Sequence, residues 1–119
     1  MFFFRQPKAD TLSPAEAVSG ARDGSVVVID VREQGEVTQS GKAKGALHMP
    51  LMRLQQTADP HHPNYIGNLK PETRIAVYCA SGGRSCAATK TLRRLGYNDV
   101  HNIGGLGHWV RAGGAIEAA

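Results

Sequence analysis

One segment of the chain combines a cysteine with two glycines and an arginine: Val77-Tyr78-Cys79-Ala80-Ser81-Gly82-Gly83-Arg84-Ser85. An apolar strand ends at Cys79, and a glycine-containing loop then leads into a helix from Ser85. Such a loop can direct successive backbone N–H groups to one point, and the helix N-terminus adds the positive end of its dipole. Arg84 adds a full positive charge with a forked geometry. We therefore expect the Cys79 thiol to have a pKa below its ordinary value of ~8.5 and to act as a nucleophile.

The loop that follows Cys79 is the predicted ligand-binding segment. Its backbone N–H groups and the Arg84 side chain would hold an anionic sulfur or oxygen group above the thiol. The predicted binding residues are Ala80, Ser81, Gly82, Gly83, Arg84 and Ser85.

The chain contains two cysteines, Cys79 and Cys86, seven positions apart. This spacing is not that of a zinc site, and structural disulfides are rare in cytosolic proteins, so we expect two free thiols and no metal. Cys79 could instead be a small buried hydrophobic residue, but the adjacent glycines and arginine favour activation. Cys86 lies in the first helical turn, where we expect it to pack in the core. A redox role with Cys79 is the alternative.

Strands and helices alternate along the chain, which predicts an open parallel sheet with ligands bound beyond the carboxyl ends of its strands. A serine cap, a proline and a glutamate predict the first helix. The predicted helices are Pro14 to about Arg22, Glu33–Ser40, Leu51–Gln56, Ser85 to about Leu95, and a last one containing Trp109. The predicted strands are Ser25–Asp30, Arg74–Cys79 and Asn98–Ile103, and Asp59–Gly67 is a predicted loop.

The composition fits one ordinary globular domain spanning residues 1–119, with 41% hydrophobic and 20% charged residues. No apolar run approaches the ~18 residues of a membrane span, and Phe2–Phe4 is too short for a secretory signal. We expect a cytoplasmic protein whose Phe2–Phe4 segment packs on the domain or extends the first strand. The net charge of +4 comes entirely from residues 61–119. This charge could attract small anions to the thiol, or Lys90, Arg93 and Arg94 could form a solvated helix face. Nucleic-acid binding is less favoured, because aromatic residues do not interleave with the basic ones.

The pattern of Cys79, Gly82 and Arg84 resembles the active loop of the rhodanese-like sulfurtransferases. The resemblance extends over about 80 residues. It departs at Ala80, where the family often has arginine, and at Lys42, where the family has histidine. The matching segments are Val28–Glu33 with its Asp-x-Arg, Glu36, Gly45–Pro50, Leu95–Tyr97, Gly104-Gly105 and Trp109.

The resemblance implies an α/β fold with a central parallel sheet of about five strands and helices on both faces. It also implies that Cys79 accepts a sulfane sulfur from a small anionic donor such as thiosulfate, as a persulfide, without a cofactor. Asp30 and Arg32 would support the loop by hydrogen bonds, contact the substrate directly, or form a plain structural ion pair. Four residues separate Cys79 from Arg84, one fewer than in the related phosphatases, which argues against phosphatase activity. The alternative is a persulfide carrier that receives sulfur from a protein partner.

Overall fold

Four parallel strands form the central sheet in the computed structural model, which describes residues 11–118. Their order across the sheet is Leu47–His48, Val27–Asp30, Arg74–Cys79 and Asp99–Gly105, and each neighbouring pair is parallel. The expectation for Phe2–Phe4 falls outside the described residues. In chain order the elements are α1 (Pro14–Asp23), β1 (Val27–Asp30), α2 (Gln34–Ser40), β2 (Lys42–Ala43), β3 (Leu47–His48), a 3₁₀ turn (Leu51–Arg53), α3 (Leu54–Ala58), β4 (Arg74–Cys79), α4 (Gly83–Arg94), β5 (Asp99–Gly105), α5 (Leu106–Arg111) and β6 (Ile116–Glu117).

Helices cover both faces of this sheet, because alternate residues of each strand point to opposite sides. On one face, Leu54 of α3 and Leu92 of α4 pack with Val77 and Cys79 of β4. On the other face, residues of α1 and α5, with Trp109 among them, pack with Ala76 and Tyr78. The open parallel α/β architecture is therefore confirmed, with four strands in the described sheet where the resemblance implied about five.

Local signals define the ends of α1 and the start of α4. Ser13 and Glu16 form the reciprocal capping box at the start of α1, and Gly24 ends the helix in the left-handed conformation with φ +85°. The helix α4 starts at Gly83, two residues earlier than expected, directly after Gly82 with φ +118°. That φ suits glycine, which has no Cβ to clash. The turn from β4 into α4 therefore depends on Gly82.

Three strands of two residues each were absent from the sequence prediction. One of them, β3, extends the central sheet, while β2 pairs with β6 in an antiparallel ribbon. Lys42 stabilises that ribbon, because its Nζ donates a hydrogen bond to the Ala46 carbonyl at 2.8 Å and forms an ion pair with Glu117. The lysine at the family's histidine position thus has a structural contact in this chain.

The helices of residues 11–118 are short, and α4 is the longest with 12 residues. None of them has the length and apolar character needed to cross a membrane.

Candidate active site

The site is built around the sulfur of Cys79, which lies at the carboxyl end of β4. The strand is buried along almost its whole length, and Cys79 itself is 1% exposed. It is a free cysteine. The chain leaves the sheet at Ala80, turns through Ser81 and Gly82, and enters α4. The predicted loop residues therefore do lie together around this strand end.

Hydrogen-bond donors of the loop and of the start of α4 reach the Cys79 sulfur. The Gly82 backbone N–H donates to Sγ at 2.9 Å, and the Ser85 hydroxyl lies 3.5 Å from it. Burial opposes ionisation of the thiol. The Ser85 hydroxyl and the amides of Ser85, Gly82 and Ser81 outweigh burial and lower the pKa of Cys79 to about 7. A substantial fraction of the sulfur is therefore thiolate near neutral pH.

Arg84 is engaged by a carboxylate across the site. Its Nη1 and Nη2 atoms donate to the two carboxylate oxygens of Glu36 at 2.6 and 2.8 Å. Both side chains are about one-third exposed. The Arg84 hydrogen bond lowers the pKa of Glu36 to about 2 and raises the pKa of Arg84 itself. Glu36 therefore offsets the positive charge that Arg84 was expected to present to an anionic ligand.

A bulge in β5 lies beneath the loop that follows Cys79. Val77 pairs with Asn102, but Cys79 pairs with Gly105, so β5 has one residue more than β4 over this stretch. Gly105 lies against the loop backbone: a Cβ at this position would come within 2.0 Å of the Ala80 carbonyl oxygen. The active loop can rest on β5 only because residue 105 has no side chain.

Asn102 is a site residue that the sequence analysis missed. Its Nδ2 donates to the Gly82 carbonyl at 3.0 Å, and its Oδ1 accepts from the Ser85 hydroxyl at 2.7 Å and from the Gly104 N–H at 2.9 Å. Its position could have identified it, because it lies near the carboxyl end of the strand next to β4, and open parallel sheets bind ligands at the carboxyl ends of their strands.

Asp30 and Arg32 form a buried ion pair beside the site. Asp30 is 0% exposed and Arg32 is 4% exposed. Their side chains are joined by bonds of 2.8 to 3.1 Å, and Asp30 accepts from the Tyr78 hydroxyl. Arg32 also donates to Ser40 and Gly41. These bonds fix the strand end next to Cys79 rather than the loop after it.

The expectation that Cys86 packs in the core is wrong, because its side chain is exposed. Ser85, Ala88 and Leu92 occupy the buried face of α4. Residue 86 lies one position beyond Ser85, about 100° around the helix, and so faces outward. Within residues 11–118, His, Cys, Asp and Glu side chains form no group of three that could hold a metal ion.

The rhodanese-like domain family matches residues 13–112 of this chain. The protein therefore belongs to that family.

Individual relatives agree with this assignment. The chain is 35% identical to thiosulfate sulfurtransferase PspE of Escherichia coli K12 over 78 residues. The aligned region covers 66% of this chain and 68% of PspE. Thiosulfate sulfurtransferase 16, chloroplastic, of Arabidopsis thaliana is 33% identical over 90 residues, covering 71% of this chain and 74% of that protein. The human single-domain sulfurtransferase TSTD1 superposes with a TM-score of 0.74 at 29% identity, covering 87% and 97% of the two chains.

Proposed function

We propose that this protein is a sulfurtransferase that moves a sulfane sulfur from a donor such as thiosulfate to a thiophilic acceptor through a persulfide on Cys79. The observation that carries the proposal is the environment of the sulfur. Cys79 Sγ accepts the Gly82 N–H at 2.9 Å and has a pKa of about 7. Relatives named as thiosulfate sulfurtransferases support the same chemistry.

The reaction has two nucleophilic steps. The Cys79 thiolate attacks the outer sulfur of thiosulfate, a new S–S bond forms, and the electron pair of the broken S–S bond leaves with sulfite. An acceptor such as cyanide then attacks the terminal sulfur of the persulfide. That step releases thiocyanate, and the electron pair of the broken bond returns to Cys79 as the thiolate. No oxidant or reductant is consumed over the cycle.

Backbone N–H groups of the active loop would supply the electrostatic stabilisation. Loop amides already lower the pKa of Cys79, and the terminal sulfur of a persulfide would carry its negative charge near the same donors. The short loop between Cys79 and Arg84 suits a sulfur atom better than a tetrahedral phosphate. The Asp30–Arg32 pair would support this site from the neighbouring strand.

An intact-mass measurement tests the proposal. After incubation with thiosulfate and removal of excess reagent, the protein should gain the mass of one sulfur atom. Cys79→Ser should gain none. Cys86→Ser is the matched control, because it removes the exposed thiol, and it should still be loaded. Absence of the adduct with thiosulfate and with organic persulfides would refute the function.

A second candidate is a persulfide carrier that takes sulfur from a protein partner. The observation that favours it is the state of Arg84, whose charge is paired with Glu36, together with the methyl side chain at Ala80. Neither residue offers an uncompensated cation to a doubly charged donor. Slow turnover of thiosulfate with fast sulfur transfer from a cysteine desulfurase would favour the carrier. The reverse order of rates would favour the free enzyme.

A further inference from the structure

The Ser85 hydroxyl has four acceptors within reach but only one proton to donate. The nearest acceptor is Asn102 Oδ1 at 2.7 Å, followed by the Gly82 carbonyl at 3.1 Å, the Gly104 carbonyl at 3.4 Å and Cys79 Sγ at 3.5 Å. A hydrogen bond to Asn102 and one to the sulfur therefore exclude each other. The hydroxyl donates to the acceptor with which it forms the stronger hydrogen bond.

The orientation of the Asn102 amide follows from its other two partners. The Gly104 N–H is a donor and needs the oxygen, whereas the Gly82 carbonyl is an acceptor and needs the NH₂ group. The same two contacts close the bulge of β5 and attach it to the active loop. Oδ1 is thus held toward Ser85 by bonds to two backbone groups.

We propose that Asn102 is a positioning residue for Cys79, which acts by competing with the sulfur for the Ser85 hydroxyl. When the sulfur is a neutral thiol, the hydroxyl donates to Asn102 Oδ1. When the sulfur is a thiolate, its charge attracts the hydroxyl away from the amide, because bonds to a charged acceptor are the stronger ones. Asn102 therefore stabilises the neutral state of the sulfur through Ser85.

Within the proposed function, this competition follows the charge through the cycle. In the persulfide the negative charge sits on the terminal sulfur, and Sγ becomes a neutral bridging atom. The Ser85 hydroxyl then returns to Asn102 Oδ1, and it is available again when the thiolate re-forms. This step rests on the proposed persulfide, whereas the competition at the free thiol does not.

Removing the amide should make the thiol more acidic. In Asn102→Ala the hydroxyl keeps only the longer contacts with the Gly82 and Gly104 carbonyls, at 3.1 and 3.4 Å, as alternatives to the sulfur. The neutral state loses more than the thiolate does, so the pKa of Cys79 falls, by about half a unit. Without the Ser85 hydroxyl nothing is left to compete for, so the same substitution has little effect in a Ser85→Ala background.

Charged and titratable groups around the thiol stay the same in this comparison. They are Arg84 on α4, Glu33 and Glu36 at the start of α2, the Asp30–Arg32 pair at the end of β1, and His108 on α5, which accepts a hydrogen bond from the Gly105 N–H.

The experiment is a double-mutant cycle on thiol ionisation. All variants carry Cys86→Ser, so that only Cys79 reacts, and the rate of alkylation by iodoacetamide is measured by intact mass across pH. The four proteins are the parent, Asn102→Ala, Ser85→Ala and the double variant. Asn98→Ala, an exposed asparagine just before β5, is the matched control and should leave the profile unchanged. Asn102→Val, which favours a strand, repeats the test if the alanine variant is unstable.

The expected result is a lower pKa in Asn102→Ala, with the shift lost when Ser85 is alanine. A higher pKa, an unchanged pKa, or a shift of equal size in both backgrounds would overturn the proposal. Because alkylation requires no sulfur donor, its outcome is separate from that of the sulfur-loading test.

Discussion

The buried ion pair between Asp30 and Arg32 allows a test of whether these residues serve the fold or the substrate. Arg32→Met keeps an apolar stem of similar length but removes the guanidinium. Asp30 is 0% exposed, and its carboxylate would have only the Tyr78 hydroxyl and the Arg32 backbone N–H left as donors. Leaving one charge of a buried pair uncompensated costs about 3–5 kcal/mol. That is a large part of the ~5–15 kcal/mol that stabilises a domain.

Arg84→Met is the matched control, because its ion pair with Glu36 is about one-third exposed. Exposed pairs contribute ~0–1 kcal/mol, so the control should unfold near the parent. Urea unfolding followed by fluorescence gives both values, since Trp109 is buried and is the one tryptophan of the sequence. Sulfur loading of the folded fraction should survive in Arg32→Met. A loss of less than about 1 kcal/mol accompanied by loss of sulfur loading would refute the structural role and assign the pair to the reaction.

Three further outcomes are expected. Alkylation of Cys79 in a Cys86→Ser protein should rise through pH 7 and level off above about pH 8, because the thiolate is the reactive form and its pKa is lowered to about 7; a midpoint near 9 would contradict the hydrogen-bond argument. Glu36→Gln should release the charge of Arg84 and lower the KM for thiosulfate by up to about fivefold with little change in stability, whereas a raised KM in steady-state assays would disprove this. Gly105→Ala should displace the active loop, cost about 1–3 kcal/mol in a melting experiment and reduce sulfur loading; Gly35→Ala, with open space around its Cβ, is the control and should melt no lower than the parent.

The sequence predicts those helices and strands whose determinants lie within a few consecutive residues. The strand Arg74–Cys79 has the predicted bounds, and α1 begins at the predicted proline. Both are determined by residues close together in the sequence. The strand is a continuous apolar run, and the helix begins with a capping box. The loop after Cys79 could be predicted for the same reason, because Gly82 acts on its own backbone torsions.

Features that depend on distant partners could not be predicted in this way. The strands β2, β3 and β6 have two residues each, which is too short for a periodic pattern, and they exist through their pairing. The exposure of Cys86 depends on which residue of α4 first faces the core. A shift of a single position around a helix turns a side chain by about 100° and changes that answer.

The properties of the site also depend partly on residues close to Cys79 in the sequence and partly on distant ones. Ionisation of Cys79 comes mainly from backbone N–H groups and the Ser85 hydroxyl, all within six positions of the sulfur. On the proposed function, discrimination between sulfur donors would depend instead on charges from elsewhere in the chain, since Glu36 lies 48 positions from Arg84, with which it pairs. A loop motif can therefore indicate a nucleophilic thiol, whereas the preference for a donor would depend on residues outside the motif. For this chain, we expect the Glu36 carboxylate, which α2 places against Arg84 of the loop, to affect donor preference.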